Sequence, residues 1–303
     1  MLEVIAGFLL LLGGLKLAQE GLVRLAGNRA TALLGTLLAG PWCSFLAGLA
    51  AAALTQSSTA VSVLTVGLVH SRFLPLPEAI GVILGANVGT TLTVQLMALK
   101  PGAMAYCLGA LGILLLLKRP PWRHAGMGFL GLGMIFAGIA WFESGCKGLG
   151  QHPWLLAPLN AAEESHFLAF LLSTLVTALV HSSSLTTGLA MTLYAQGVIT
   201  RETALVFVLG NNLGTCFTAL LVSLVSSNAG RRVALAHFLV NLGGALLFFP
   251  LLHPWGMLAR WLSSGPAHEI ANAHTLYNLV TSLILLPFCR PLARLLEKLL
   301  PDH

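Results

Sequence analysis

At residues 53–62 the chain reads ALTQSSTAVS, and at 178–187 it reads ALVHSSSLTT. Each cluster of hydroxyls and amides interrupts an apolar stretch, and the two begin 125 residues apart. The run 57–70, just after the first cluster, would extend only about 21 Å as a helix, whereas a bilayer span needs about 20 residues. A Gln56-Ser57 turn is all that separates it from the preceding run, 32–54. This spacing predicts a re-entrant hairpin with QSST at its tip inside the membrane, and HSSS in the run 182–199 as the tip of a second. Irregular backbone at that depth is tolerated where it is buried in protein or lines a wet cavity.

Composition supplies the membrane. Of 303 residues 56% are hydrophobic and 9% charged, against roughly 25% charged in soluble domains, so the chain reads as an all-α polytopic membrane protein. Continuous apolar runs, with many Gly, Ala, Ser and Thr, fit close helix packing in lipid and argue against a β-barrel. The runs fall at 2–23, 32–54, 57–70, 76–99, 103–118, 124–142, 166–180, 182–199, 203–226, 233–252 and 271–289. No cationic segment precedes the first, so it is expected to be a span and not a cleaved signal peptide. Five scattered cysteines without a CxxC indicate neither a disulfide framework nor a zinc site. The bases sit in short loops, which excludes a nucleic-acid surface and points to membrane topology.

Sliding the chain on itself by 125 aligns 53–93 with 178–218 without a gap and gives 13 identities, among them Ser57/Ser182, Ser58/Ser183, Asn87/Asn212, Thr90/Thr215 and Thr93/Thr218. Such self-similarity marks a duplication. With each hairpin returning to its own side, three crossings separate the two copies, and an odd number inverts them. One side collects eleven bases (Arg24, Arg29, Arg72, Lys118, Arg119, Arg123, Arg231, Arg232, Arg290, Arg294, Lys298) and the other four (Lys100, Lys147, Arg201, Arg260). The positive-inside rule then places the first side in the cytoplasm, the amino terminus outside and the carboxyl terminus inside. The expected organisation is an inverted-topology repeat of 1–123 and 124–290, followed by a short basic cytoplasmic tail, 291–303.

GANVGTT at 85–91 and GNNLGTC at 210–216 place glycines and asparagine inside spans, which favours a break in each helix. Helices restarting after Gln56, Gly89, His181 and Gly214 would aim free N–H groups and positive dipole ends at one region, which suits an anion. Neighbouring carbonyls, hydroxyls and amides suit a small hard cation. Paired short or glycine-broken segments of this kind are the sequence pointer to the site of an inverted-repeat secondary transporter. Within the spans the one base is Lys16, four residues before Glu20 and expected to pair with it. An anion in this centre lacks a fixed counter-charge, so coupling to sodium or protons follows, with neutral oxygen ligands favouring Na⁺.

QSSTA at 56–60, HSSSLTT at 181–187 and the paired GANVGTT and GNNLGTC resemble the sodium/phosphate cotransporter family, the type II cotransporters of animals and their bacterial relatives, over roughly residues 2–290. The resemblance implies sodium-driven movement of inorganic phosphate, with phosphate held between the two tips: Gln56, Ser57, Ser58 and Thr59 in the first, Ser182, Ser183 and Ser184 in the second. It implies sodium ligands from the adjoining segments, Asn87, Thr90 and Thr91 with Asn211, Asn212 and Thr215. His181 stands where the family's second tip opens with Gln, which admits proton coupling. The chain stops soon after Lys298 and looks like a bare transport domain, placed in the inner membrane if the source is bacterial.

No cofactor is implied beyond co-transported Na⁺ or H⁺, and the partners are phosphate, sodium and the lipid bilayer. The oligomeric state stays open, a homodimer included. Catalysis is not expected, since neither GxSxG nor HExxH occurs and the first copy lacks the histidine. A proton-coupled transporter, a carrier of another oxyanion, and an anion-selective channel are the alternatives. The glycines have a second reading as close-packing positions of the small-xxx-small type.

Overall fold

The computed structural model describes residues 2–26, 40–99, 102, 104–149 and 153–301. The start of the run 32–54, together with Arg29, Lys100 and Asp302, lies outside the described residues. Described helices are α1 Leu2–Ala26, α2 Pro41–Thr55, α3 Ser58–His70, α4 Leu76–Ala98, α5 Met104–Leu116, α6 Trp122–Leu149, α7 Pro153–Glu164, α8 His166–Val180, α9 Ser183–Ala195, α10 Arg201–Gly214, α11 Cys216–Ser223, α12 Asn228–Phe248, α13 Leu252–Trp261, α14 Pro266–Leu285 and α15 Cys289–Leu299. Six stretches among them are long and apolar enough to cross a membrane, the last two being Asn228–Trp261 and Pro266–Leu299. The chain is an integral membrane protein.

Both short pairs form as the sequence requires. Helices α2 and α8 have 15 residues each, and α3 and α9 have 13 each. The run 182–199 therefore yields an arm as short as its counterpart, because the chain turns at Gln196 and at Gly197, whose φ of +68° favours glycine. Ser165, Thr200 and Ser227 cap α8, α10 and α12, each accepting a backbone N–H from three residues on.

The expected helix break does not occur in the first copy and is confined to one residue in the second. Residues 85–91 lie inside the continuous helix α4, and 210–216 contains one interrupted residue, Thr215, whose φ and ψ of −65° and −23° remain right-handed helical. Packing outweighs the weak helix propensity of glycine here, which costs about 1 kcal/mol per residue. A Cβ on Gly85 would sit 1.9 Å from the Phe45 carbonyl oxygen, and one on Gly89 would sit 2.3 Å from that of Leu49. The second copy repeats both approaches at the 125 shift: Gly210 beside Phe170 at 2.6 Å, and Gly214 beside Thr174 at 2.6 Å. In each copy the second number rises with the first, so α2 runs parallel to α4 and α8 parallel to α10. Glycines also let α1 and α6 touch backbone to backbone, Gly7 against Gly138, Gly14 against Gly131 and Gly21 against Gly128, in antiparallel order.

One further expectation changes. Glu20 pairs with Arg24 at 3.8 Å and not with Lys16, which is exposed. The basic stretch expected at 291–303 begins within α15, which is helical to Leu299 and buries Cys289, Ala293 and Leu296, an i, i+4, i+7 stripe. Helix α7, which fell in no apolar run, joins the start of α10 through Glu163 Oε1, the acceptor of the Thr200 N–H at 2.8 Å.

The last two long helices pack antiparallel. Gly244 lies against Thr281, the Phe248 and Tyr277 rings meet edge to face at 5.2 Å, and Arg232 Nε donates to the Leu300 carbonyl at 2.7 Å. Helix α4 also runs antiparallel to α14, since Ser282 Oγ donates to Leu84 O and Gln95 Nε2 to Asn272 Oδ1.

Candidate functional site: two hairpin tips around one cavity

The two tips share one backbone solution. Gln56 ends α2 with φ, ψ of 49°, 29° and His181 ends α8 with 58°, 24°, and the serine after each is extended at −150°, 103° and −146°, 102°. A left-handed residue other than glycine costs about 1–2 kcal/mol, and this chain accepts that cost twice at the same position of its repeat. The sharp reversal it produces lets one helix end and the next begin within two residues. Ser57 then caps α3 by accepting the Ala60 N–H at 3.1 Å, and Ser182 caps α9 by accepting the Leu185 N–H at 3.3 Å.

These two helix starts face each other. Thr59 Oγ1 donates to the His181 backbone carbonyl at 3.4 Å, and a cavity of about 20 Å³ opens between the tips, lined by Gln56, Ser57, Ser58, Thr59, Thr90, His181, Ser182, Ser183 and Ser184. All eight residues assigned to the tips thus meet at one place. The volume suits one small ion and falls far below the roughly 300–1,000 Å³ of sites for drug-sized ligands. Among the described residues no carboxylate, lysine or arginine lines it. The first N–H groups of α3 and α9 have no partner within their helices, so the polarity of the cavity comes from two positive helix ends and a ring of hydroxyls. No helix starts after Gly89, because α4 is continuous there, and between α10 and α11 Thr215 keeps right-handed helical angles with no side-chain cap.

The residues of the glycine-flanked segments divide. Thr90 lines the tip cavity, with its Oγ1 donating back to Ala86 O and Asn87 O. Thr91 and Thr215 donate to carbonyls of their own helices, Val88 O at 2.8 Å and Asn212 O at 2.7 Å, and Asn212 Nδ2 donates to Val208 O at 2.8 Å. Asn87 reaches across to α12, where Nδ2 donates to Asn241 Oδ1 at 3.2 Å. Asn211 braces the second hairpin: Oδ1 accepts from Thr177 and Nδ2 donates to Thr187, while Thr177 also bonds Thr186. The equivalents of Thr177, Thr186 and Asn211 in the first copy are Ala52, Val61 and Ala86. Hydrogen bonds therefore hold the second tip where packing holds the first.

Two features were missed by the sequence reading. Thr218 touches His181, its Oγ1 lying 2.7 Å from Nδ1, and its place in the 125-residue repeat was the available signal. The last two spans bury His237, Asn241, His274 and Asn278, and an HxxxN pattern common to both spans could have found them. A larger cavity of about 390 Å³ beside the first tip is walled by Leu22, Leu54, Leu92 and Phe129 and is too apolar for an ion; Gln56 borders both spaces.

The family model described as Na⁺/Pi-cotransporter matches residues 10–144 and 152–263. The chain is 32% identical over 253 residues to the uncharacterized protein YqeW of Bacillus subtilis, covering 83% of this chain and 82% of that one. It is 29% identical over 255 residues to the Escherichia coli K12 protein named "Putative inorganic phosphate export protein YjbB", covering 84% of this chain and 47% of that one, so it spans about half the length of that relative. A 98-residue segment is 43% identical to human sodium-dependent phosphate transport protein 2B, covering 31% of this chain and 14% of that one. No solved structure matches. With the family model covering most of the chain and the duplicated tips converging on one cavity, the protein belongs to the Na⁺/Pi-cotransporter family.

Proposed function

We propose that this protein moves inorganic phosphate across the membrane, coupled to sodium ions, by alternating access at the cavity between its two hairpin tips. The observation that carries the reading is the convergence of two helix N-termini and a ring of serines and threonines on a space that holds no charged side chain. A phosphate group bound by Gln56, Ser57, Ser58, Thr59, His181, Ser182, Ser183 and Ser184 accepts bonds from hydroxyls, the Gln56 amide, the His181 ring and free backbone N–H groups. Its charge then calls for co-bound cations, for which Asn87, Thr90, Thr91, Asn211, Asn212 and Thr215 are the neutral oxygen ligands, Thr90 among them lining the cavity.

Contacts at the hairpin ends support two re-entrant hairpins entering from opposite faces. Pro41 lies beside Gly81 and His70 Nδ1 accepts the Ser227 N–H, so both ends of the first hairpin sit with the starts of α4 and α12. Tyr194 OH donates to Glu269 Oε2 and Thr200 N to Glu163, so both ends of the second sit with the starts of α10 and α14. Because α4 and α14 are antiparallel, these two groups lie at opposite ends of the bundle. Arg72, Arg231 and Arg232 accompany the first group and Arg201 and Arg260 the second, which supports a cytoplasmic first face. Residues 1–123 and 124–290 are then inverted repeats that move against each other.

Labelled phosphate flux in proteoliposomes, under imposed sodium, proton or potassium gradients and with sulfate as competitor, tests the reading. Uphill flux driven by sodium alone is the expected result. Uphill flux driven by protons alone would transfer the coupling role to His181, and downhill flux under every gradient would replace the transporter with a channel.

A further inference from the structure

A second duplication runs through the last two spans. AHFLVN at 236–241 and AHTLYN at 273–278 align at a shift of 37, and each helix passes through a short 3₁₀ turn, Phe249–Leu251 or Leu286–Phe288, before continuing as α13 or α15. In both copies the asparagine donates to the carbonyl of the histidine one turn earlier: Asn241 Nδ2 to His237 O at 3.0 Å, and Asn278 Nδ2 to His274 O at 2.9 Å. Both imidazoles are fully buried, and none of their ring nitrogens has a partner. The antiparallel packing of the two copies gives them the same inverted relation that the hairpins have.

Against this symmetry one hydrogen bond is made and its equivalent is not. Asn87 Nδ2 donates to Asn241 Oδ1. The shifts of 125 and 37 carry this pair onto Asn212 and Asn278. There, however, Asn212 Nδ2 has turned to Val208 O, and Asn278 Oδ1 is buried without a partner. The tips show the reverse pattern. His181 and Thr218 are in contact, while Gln56 Oε1 and Thr93 Oγ1, the same two positions of the first copy, are both buried and unpartnered. Each half thus has one tie made and the other open, in opposite combination. An orphaned amide oxygen in the interior is costly, and the cost is relieved if its partner arrives in another arrangement of the same chain.

We propose that Asn241 and Asn278 are alternating positioning residues of the transport cycle. The Asn87–Asn241 bond holds the conformation described here, and an Asn212–Asn278 bond holds the oppositely facing one, with one of the two made at a time. The inference rests on the alternating-access reading and adds to it the residues that set which way the site faces. The two asparagines touch no substrate; they act through the helices α4 and α10 that border the tips.

The test reads conformation without phosphate. Spin labels on genetically encoded residues at Arg72 and Val225 report one face, and labels at Gln196 and Ser264 the other, in the full chain reconstituted in nanodiscs. Asn241→Leu is expected to shift the ratio of the two distance populations about fivefold away from the conformation described here, and Asn278→Leu about as far towards it. The double variant should return close to the wild-type ratio. Shifts in the same direction, no shift in either variant, or a double variant that stays at the ratio of one single variant would each overturn the proposal. Asn241→Ser and Asn278→Ser remove the same acceptor with less bulk and serve if the leucine variants do not fold. Opposed distance shifts in a protein that carries no phosphate would retain the switch and reject the substrate, so the two readings fail separately.

Discussion

Thr59 and His181 lie 122 positions apart, and the hydroxyl of one donates to the backbone carbonyl of the other at 3.4 Å. That distance is long for an O–H donor, whose bonds cluster near 2.7–2.8 Å. The contact therefore registers the two tips against each other without fastening them. Tips that meet loosely can part, which a site reached from both faces requires.

Ser57 and Ser182 each do two things: they cap a helix and they present a hydroxyl to the cavity. Ser57→Ala and Ser182→Ala are expected to cost about 1 kcal/mol each as lost caps and to lower phosphate flux more than tenfold at unchanged expression. Ser165 separates the two roles, since it caps α8 in the same way, accepting the Leu168 N–H, but lies away from the cavity. Flux through Ser165→Ala should match wild type. Equal losses in Ser165→Ala and Ser182→Ala would reduce the tip serines to caps.

The glycines of α4 are there for approach and not for flexibility, and substitution distinguishes the two. Gly85→Ala forces a methyl group against the Phe45 carbonyl and is expected to destabilise by about 1–3 kcal/mol, the usual range for overpacking. Gly67 and Gly243 have open space at the Cβ position, so alanine there should be neutral or stabilise by about 0.5–1 kcal/mol through helix propensity. Thermal unfolding in detergent measures all three. A Gly85→Ala protein as stable as Gly67→Ala would restore the idea of a helix weakened on purpose.

These glycines also show where sequence reading reached its limit. The hairpins were legible because a 13-residue arm cannot span a bilayer and because the same polar cluster returns after 125 residues. Convergence of the tips followed from the duplication. Whether Gly85 breaks a helix or admits a neighbour depends on α2 lying beside it, and no local pattern in GANVGTT records that. The 37-residue repeat was overlooked for a different reason: its polar residues are single histidines and asparagines spaced a helical turn apart, which look like isolated buried groups until the 3₁₀ turns align them. Helix α15 was obscured by its bases, although Cys289, Ala293 and Leu296 already carried the amphipathic spacing.

Among the described residues that line the cavity, His181 is the one histidine, and it stands where the first copy has Gln56. Its Nδ1 is held by Thr218, so a change in protonation is felt both at that contact and by an anion between the tips. Phosphate flux is expected to vary with pH in the wild type and to lose most of that variation in His181→Gln, with Thr218→Val altering the profile in the same sense. Parallel pH profiles in all three proteins would leave His181 with a structural role only.

At the face opposite Arg72, Glu269 receives both the Tyr194 hydroxyl at 3.0 Å and the Arg201 guanidinium, joining the end of α9, the start of α10 and the first turn of α14. The Glu269 side chain is 6% exposed, and removing one member of a buried pair costs about 3–5 kcal/mol because the other charge stays behind. The Arg201 side chain is 19% exposed, so water recovers part of that loss, and Glu269→Ala is expected to destabilise by about 2–3 kcal/mol. Arg201→Met combined with Glu269→Leu removes both charges and fills the space, and most of the stability should return. Melting temperatures of the single and double variants in one detergent decide the matter. A double variant that melts below Glu269→Ala would mean that the ion pair stabilises this face through its charges, whereas recovery would mean that its geometry, fixing where the second hairpin meets α14, is what the fold retains it for.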